Sequence, residues 1–179
     1  MIETPRLVLR RWREEDRGPL AALHADPEVM DWLGGVKSRA ESDGYLDRYE
    51  AHIEAHGFGI WAVTRREDGV LLGVAGLRWA EPGLPPAPCV EAAWRFARLA
   101  WGQGYASEAA GAALRDGFRR HGLREALAWT APSNLRSQAV MARIGMARDP
   151  SRDFEHPALP EGHPLRPHLV FAARAPGNG

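Results

Sequence analysis

Hydrophobic residues along this chain follow two spacings, which predict strands in some stretches and helices in others. Short apolar or alternating stretches over residues 7–12, 58–64, 70–79, 90–96, 123–131 and 168–173 indicate strands. Apolar positions three and four apart indicate helices over residues 16–25, 38–57, 105–120 and 134–144. Because these elements follow one another in mixed order, we expect an α+β fold with a largely antiparallel sheet flanked by helices.

Capping residues set the predicted helix boundaries. Asp16 is the predicted N-cap of the first helix, which the Asp26-Pro27 step should end. Ser38 and Glu41 have the spacing of a capping box for the second helix, and Gly57 should close it.

Composition limits the class of protein. We expect one domain over residues 1–179, with 174–179 as a disordered tail. Acidic and basic residues balance at 23 each, which predicts no nucleic-acid or membrane partner, although Arg95, Arg98 and Arg136 can form a local basic patch. The single cysteine, Cys89, fits a reducing cytoplasm.

Three histidines near the C-terminus do not have the spacing of a metal site. His156, His163 and His168 are separated by seven and five positions, and prolines interrupt the segment. We therefore predict no bound metal. The acidic residues Asp153 and Glu155 lie in the same segment.

A glycine-containing turn between a predicted strand and a predicted helix is the strongest functional signal. Free amides at a helix start, together with the helix dipole, favour an anion, and glycine lets a ligand approach the backbone closely. We interpret the turn as a pyrophosphate cradle made by Gly102, Gln103, Gly104, Tyr105, Ala106 and Ser107.

Three kinds of phosphate loop compete for this turn. A Walker loop needs a lysine, but the only lysine of the chain is Lys37. A dinucleotide-binding turn needs a third glycine or alanine where this chain has Ser107. The third kind is the coenzyme A loop of the GNAT acetyltransferases, Gln/Arg-x-x-Gly-x-Gly/Ala. The sequence WGQGYA at 101–106 resembles it at Gly104 and Ala106, while Trp101 replaces the first polar residue.

The resemblance to GNAT acetyltransferases extends over nearly the whole chain, in the branch of the ribosomal-protein-alanine N-acetyltransferases. ETPRLVLRRWREED, the WGQGYASEA loop, APSNLRSQAVMARIGM and DFEHPALPEGHPLRPHLVF are each similar to segments of that branch, in the same order. The resemblance implies a sheet with two splayed central strands and helices on both faces. It also implies acetyl-CoA as the cosubstrate and a primary amine as the acceptor.

Site residues follow from the resemblance position by position. It implies that the main chain of Trp94 and Phe96 receives the pantetheine arm, with the Phe96 amide facing the developing oxyanion. Asn134 would hold the arm and Ser137 would act as the acid for the leaving thiolate. Asn134 is equally well explained as a helix cap, and Ser137 as a bystander hydroxyl.

Acidic residues near the acceptor are candidates for the base. Glu91 can accept a proton through water or can be a solvated carboxylate at a strand start, and Asp153 and Glu155 are the next candidates. Trp12 and Trp32 either wall the acceptor pocket or pack in the core.

The resulting hypothesis is an N-acetyltransferase in which the amine attacks acetyl-CoA directly in a ternary complex. The acceptor is either a protein N-terminus or a small amine, and the protein either a monomer or a homodimer. The alternative is a catalytically silent acyl-CoA-binding sensor, followed by a nucleotide-dependent oxidoreductase.

Overall fold

The computed structural model describes residues 1–177 and is built around a nine-stranded sheet. The strands are β1 (Ile2–Glu3), β2 (Leu7–Arg10), β3 (Ile60–Arg65), β4 (Leu71–Trp79), β5 (Val90–Phe96), β6 (Glu125–Thr130), β7 (Ala147–Arg148), β8 (Phe154–Glu155) and β9 (Pro167–Arg174). The helices are α1 (Arg17–Ala25), α2 (Pro27–Met30), α3 (Arg39–His56), α4 (Tyr105–Arg120) and α5 (Leu135–Arg143).

The strands pair antiparallel with a single exception. Their order is β1-β2-β3-β4-β5-β6-β9-β7, with β8 paired to β9, and only β5 and β6 run parallel among the described residues. This arrangement confirms the predicted α+β fold with a largely antiparallel sheet.

The two faces of the sheet are covered by different helices. In β5, Ala92 pairs with Leu77 of β4, whose side chain lies against Gly117 of α4. A Cβ atom at Gly117 would come within 2.3 Å of the Leu77 Cδ1 atom, so glycine allows α4 to lie close to the sheet. Because strand side chains alternate, Ala92, Trp94 and Phe96 share the α4 face, and the residues between them face α1 and α3.

The capping box of the second predicted helix is confirmed. The Ser38 hydroxyl accepts a hydrogen bond from the Glu41 N–H at 3.3 Å, and the Glu41 carboxylate accepts one from the Ser38 N–H at 2.7 Å. At the other end of α3, Gly57 has a φ of 76°, the left-handed conformation of a glycine C-cap.

Asp16 holds the predicted N-cap position, since α1 begins at Arg17, but its side chain makes no capping hydrogen bond. Asp16 ends a short 3-10 turn, and its buried carboxylate accepts hydrogen bonds from Arg10 at 2.7 and 2.9 Å and from the Arg13 N–H at 2.8 Å. The tertiary ion pair with Arg10 therefore replaces the local cap. α1 does end before Pro27, but Pro27 then begins α2.

The C-terminal end of the sheet also differs from the prediction. Arg174, expected in a disordered tail, is the last residue of β9, and the Ala175 N–H donates to the Arg124 carbonyl at 2.9 Å. Residues 178–179 of the expected tail lie outside the described residues.

Candidate active site

A gap in the middle of the sheet is the main feature of the site. β5 and β6 are paired at Glu91 and Leu127, near the start of both strands, and no further pair joins these two strands in the described chain. The strands therefore separate toward their carboxyl ends, as the splayed arrangement predicts.

The main chain on one side of this gap is free for a ligand. The Ala97 N–H donates to the Leu72 carbonyl at 2.8 Å, on the β4 side of the ladder. Because hydrogen bonding alternates along an antiparallel ladder, the main-chain groups of Trp94 and Phe96 point away from β4 and into the gap. The Phe96 carbonyl is already occupied, since it accepts the indole N–H of Trp101 at 2.8 Å.

The glycine turn lies beyond the end of β5 and leads into α4. Gly102 and Gly104 have φ values of 73° and 79°, which other residues rarely adopt, and Gly104 directly precedes the helix. Over residues 1–177, no hydrogen bond is donated by the N–H groups of residues 102–107. The Ser107 hydroxyl is buried and has no partner in the same part of the chain. These donors form a suitable cradle for an anion.

An arginine directly before β2 holds this turn in place. Arg6 donates from Nη1 to the Gln103 carbonyl at 2.9 Å and forms an ion pair with Glu108 at 2.6 Å. Its guanidinium also lies 4.5 Å from the centre of the Tyr105 ring, which is buried in the core. The Tyr105 side chain is therefore structural, and only its main chain can contribute to the cradle.

Arg6 and Glu108 form a clamp on the turn, and the Glu108 carboxylate is ionised at neutral pH. Burial raises its pKa, but hydrogen bonds from Thr4 and Arg6 outweigh that effect and hold the pKa below its ordinary value. The clamp therefore keeps its negative charge, which neutralises Arg6 and leaves the amides of the turn as the donors for a ligand.

Asn134 and Ser137 lie across the gap at the start of α5. The Asn134 side-chain oxygen accepts a hydrogen bond from the Ser137 N–H at 3.1 Å, as an N-cap does. The Ser137 hydroxyl is not used in this bond. Both residues line the cavity that occupies the gap.

A cavity of about 620 Å³ passes through the gap. Seven of the twelve predicted site residues line it: Glu91, Trp94, Phe96, Trp101, Ala106, Asn134 and Ser137. The other five, Gly102, Gln103, Gly104, Tyr105 and Ser107, lie outside its lining. The structure thus brings the strand edge, the cradle end and the two polar residues of α5 around one space.

Glu91 is buried on the wall of this cavity rather than solvated at a strand start. Its Oε2 atom accepts a hydrogen bond from Arg78 Nε at 2.7 Å, while Oε1 accepts none from the described residues. Burial raises the pKa of Glu91, and the Arg78 charge opposes that shift. A carboxylate with one free oxygen and a raised pKa can take a proton from a ligand in the cavity.

The two other acidic candidates are engaged in ion pairs. Asp153 pairs with Arg148 and also accepts the Val170 N–H at 2.9 Å, and Glu155 pairs with Arg166 at 3.1 Å. From the same segment it is His156 and His168 that line the cavity, with ring centres 5.2 Å apart. His156 directly follows β8 and His168 belongs to β9, so their contact depends on the pairing of these strands, and spacing along the chain gave no signal for it.

The three arginines expected to form a basic patch have separate environments. Arg98 pairs with Glu28 at 2.6 Å, and Arg136 stacks on the Trp101 ring at 4.4 Å. Both line a surface depression of about 610 Å³ beside the cradle. Arg95 instead points to the other face of the sheet, where it lines the large cavity.

The far wall of the cavity is formed by the N-terminal helices. Tyr45 and Tyr49 of α3 and Trp32 after α2 line it. Trp12, the other tryptophan considered for this wall, is buried in the core and donates its indole N–H to the Ile60 carbonyl at 2.8 Å. Sequence analysis did not identify the two tyrosines, because only packing of α3 against the sheet places them here.

Two classes of site receive no support from the described residues. Residues 1–177 contain no group of three His, Cys, Asp or Glu residues arranged to hold a metal ion. In the same range, none of the helices combines the length and the apolar character needed to span a bilayer.

Comparison with known proteins agrees with this geometry. Residues 6–147 match the model of the family described as acetyltransferase (GNAT) domain. YkkB of Bacillus subtilis is 30% identical over 146 residues, which cover 81% of this chain and 84% of YkkB.

Solved structures of acetyltransferases share the fold. A GNAT-family acetyltransferase from Bacillus anthracis superposes with a TM-score of 0.81 at 24% identity, over 97% of this chain and 98% of its own. RimL, a ribosomal L7/L12 alpha-N-protein acetyltransferase solved with coenzyme A, gives a TM-score of 0.76 at 18% identity, over 96% and 95%. At these identities the likeness shows the fold alone.

Proposed function

The chain belongs to the GNAT acetyltransferase family, and we propose that it transfers the acetyl group of acetyl-CoA to a primary amine by direct attack in a ternary complex. It is an acetyl-CoA-dependent acyltransferase, as the family assignment establishes. The proposal concerns the mechanism, the residues and the kind of acceptor.

The observation that carries the proposal is the shared cavity. One end of the cavity is lined by Trp101 and Ala106, which flank the turn with the free amides, and its middle passes the open edge of β5. Its wall also holds a buried carboxylate and a serine hydroxyl on opposite sides of the gap. A long cofactor with a pyrophosphate at one end and a thioester at the other fits this order of groups.

We assign the cofactor contacts to main-chain groups. The amides of residues 102–107 and the buried Ser107 hydroxyl would bind the pyrophosphate. The main chain of Phe96, which is nearer the cradle, and the Asn134 side chain would hold the pantetheine arm. Trp94 lies between Phe96 and Glu91 on β5, and its N–H also points into the gap, so we assign to the Trp94 N–H, rather than to the Phe96 N–H that the resemblance implies, the bond to the negative charge that develops on the acetyl oxygen.

Acetyl-CoA supplies the thioester that the amine attacks, and two side chains handle the protons. An alkyl amine has a pKa of about 8 to 10 and is mostly protonated at neutral pH, so a base must take one proton before attack. We assign this role to Oε1 of Glu91, through water. The new N–C bond forms and the C–S bond breaks, Ser137 Oγ–H gives its proton to the sulfur, and the second proton of the amine nitrogen passes through water to the Ser137 oxygen, which leaves a neutral amide, a free thiol and the original hydroxyl.

The acceptor can be a protein N-terminus or a small amine. RimL, by its name, acetylates a protein N-terminus. The wall of Trp32, Tyr45 and Tyr49 accommodates an apolar body of either kind.

The deciding experiment measures free thiol release from acetyl-CoA by the purified protein, with a panel of small amines, peptides and ribosomal proteins. An acetyltransferase releases CoA only when an acceptor is present and yields an equal amount of acetylated amine. A silent sensor binds acetyl-CoA in calorimetry but releases no more CoA than background hydrolysis. That second result, with every acceptor, contradicts the proposed transfer.

A further inference from the structure

Arg95 is a cation inside the cavity that has no anionic partner. Its Nε and Nη1 atoms are buried without a hydrogen-bond partner, and the described residues supply no ion pair to its guanidinium. Other arginines of this chain find carboxylates readily: Arg78 pairs with Glu91 and Arg10 with Asp16.

Leaving such a group unpaired is unfavourable. A buried donor that loses water without gaining an acceptor costs about 1–3 kcal/mol, and more when it is charged. The buried carboxylate on the same wall, Glu91, is already bonded to Arg78. The cavity therefore holds an unmatched positive charge that a bound anion would neutralise.

The position of Arg95 separates it from the phosphates of the cofactor. The amides of residues 102–107 lead into α4, whereas Arg95 alternates with Trp94 and Phe96 and so faces away from α4. Arg95 lines the cavity together with Tyr45 and Tyr49 of α3, on the side of the N-terminal helices. An anion bound by Arg95 would thus belong to the acceptor.

We propose that the acceptor amine carries a carboxylate, which the Arg95 guanidinium binds while the amine lies toward Glu91. A guanidinium presents a planar fork of N–H donors that matches the two oxygens of a carboxylate. Glu91 and Arg95 lie on the same face of β5, four residues apart, or about 13 Å between Cα atoms. A single small molecule can lie between their side chains.

The neighbouring groups suit this ligand. Burial lowers the pKa of His24 to about 4, and the Arg95 and Lys37 charges add to that shift, so His24 is neutral at physiological pH. The rings of Tyr45 and Trp32 line the remaining wall. Arg95 is thus the cationic group available to orient a carboxylate on this wall.

This inference rests on the proposed function, and its test uses matched acceptors. The kcat/KM for L-leucine is compared with that for 3-methylbutylamine, which lacks only the carboxylate, and with L-leucinamide. 4-Aminobutyrate and propylamine form a second pair with a longer spacing. Peptides with a free N-terminal Asp or Asn and an amidated C-terminus distinguish a side-chain carboxylate of a peptide from the carboxylate of a free amino acid.

Each pair is measured with wild type, Arg95→Gln, Arg95→Lys and Arg119→Gln, an exposed arginine on α4 that serves as control. We expect Arg95→Gln to lower the wild-type preference for the carboxylate-bearing member about 10- to 100-fold, as expected for a lost charged hydrogen bond. Arg95→Lys should restore part of it, and Arg119→Gln should leave it unchanged. The two amines of a pair differ in pKa, but this difference affects every variant equally, so it cancels when the kcat/KM preference is compared between variants.

A binding measurement makes the test independent of turnover. Calorimetry in the presence of CoA compares N-acetyl-L-leucine with N-acetyl-3-methylbutylamine for wild type and Arg95→Gln. The inference is supported if wild type binds N-acetyl-L-leucine more tightly than N-acetyl-3-methylbutylamine and Arg95→Gln does not. The inference is overturned if wild type and Arg95→Gln bind N-acetyl-L-leucine equally, or if neither binds it detectably. It is also overturned if both proteins show the same preference for the carboxylate-bearing acceptor. Acetylation of amines without that preference would overturn the role of Arg95 and leave the transferase proposal intact.

Discussion

The indole N–H of Trp101 donates to the Phe96 carbonyl at 2.8 Å, which ties the start of the glycine turn to the end of β5. The Arg136 guanidinium stacks on the Trp101 ring, 4.4 Å from its centre. Trp101 occupies the position where the family loop has a polar residue. In this chain the indole therefore fixes the distance between the open strand edge and the cradle.

Trp101→Phe should weaken acetyl-CoA binding without unfolding the protein. The substitution keeps an aromatic ring under Arg136 but removes one neutral hydrogen bond, worth about 1 kcal/mol. We expect about a fivefold increase in the acetyl-CoA Kd by calorimetry. Trp79→Phe is the matched control, because Trp79 is 46% exposed and its indole lies outside the cavity wall. A Kd equal to that of wild type would show that the bond does not position the cradle.

Gly104→Ala should lower acetyl-CoA affinity through the backbone. At a φ of 79° an alanine is strained by roughly 1–2 kcal/mol, and relief of that strain rotates the amides at the start of α4. Gly69 has a φ of 74° in the β3–β4 turn, with open space around it, and Gly69→Ala applies a similar strain elsewhere. Both variants should unfold at lower urea concentrations, but only Gly104→Ala should bind acetyl-CoA more weakly. Equal affinities would argue against the cradle.

Local chemistry made part of this protein predictable from its sequence. The capping box of Ser38 and Glu41 and the helix stop at Gly57 depend on neighbours within a few residues, and both are confirmed. The turn at Gly102 and Gly104 is similarly local, because positive φ values and a following helix leave a signature in adjacent residues.

Contacts between distant elements were not predictable in the same way. Asp16 has the sequence context of a cap, but Arg10 of the neighbouring strand takes its carboxylate. The two-residue strands β1, β7 and β8 have no periodicity of their own and exist because a longer strand pairs with them. Arg95 was recognised only as part of a basic patch, since its burial is set by the packing of α1 and α3.

Glu91→Gln should lower turnover and change the acid side of the pH profile. As a base, Glu91 must be ionised, so kcat/KM should fall as the pH drops through its pKa, which burial raises above the ordinary value. Glutamine cannot take the proton, and we expect a decrease of about 10²- to 10⁴-fold with that limb absent. Glu81→Gln removes an exposed carboxylate 3.6 Å from the same Arg78 and should retain the acid limb, moved to lower pH because the Glu81 charge raises the Glu91 pKa. Identical acid limbs in wild type and Glu91→Gln would exclude Glu91 as the base.

Ser137→Ala should slow the step in which the thiolate leaves. The helix cap remains in this variant, because Asn134 accepts from the Ser137 main-chain N–H and not from its hydroxyl. We expect kcat to fall by about 10²-fold, in the lower range for loss of a proton donor, and most strongly at high pH, where solvent is a poorer donor. Ser133→Ala, at an exposed neighbouring position, is the control. Wild-type turnover at every pH would assign Ser137 a passive role.

His24 should make the stability of the fold depend on pH. The side chain is fully buried, its Nδ1 lies 2.9 Å from the Ser42 hydroxyl, and burial lowers its pKa to about 4. In the unfolded chain the pKa is about 6.5, so between these values the unfolded state binds the extra proton. The stabilisation is complete above pH 6.5 and is lost progressively as the pH falls toward 4.

Urea unfolding of wild type and His24→Gln at pH 7.5 and pH 5 measures this contribution. At pH 5 the unfolding free energy of wild type should drop by about 2 kcal/mol more than that of His24→Gln, from about 1.4 kcal/mol per pKa unit. The carboxylates titrate in both proteins, so the difference isolates His24. His56→Gln, which changes an exposed histidine of α3, should retain the wild-type drop. A drop of equal size in His24→Gln would mean that His24 accepts a proton in the folded protein as readily as in the unfolded chain.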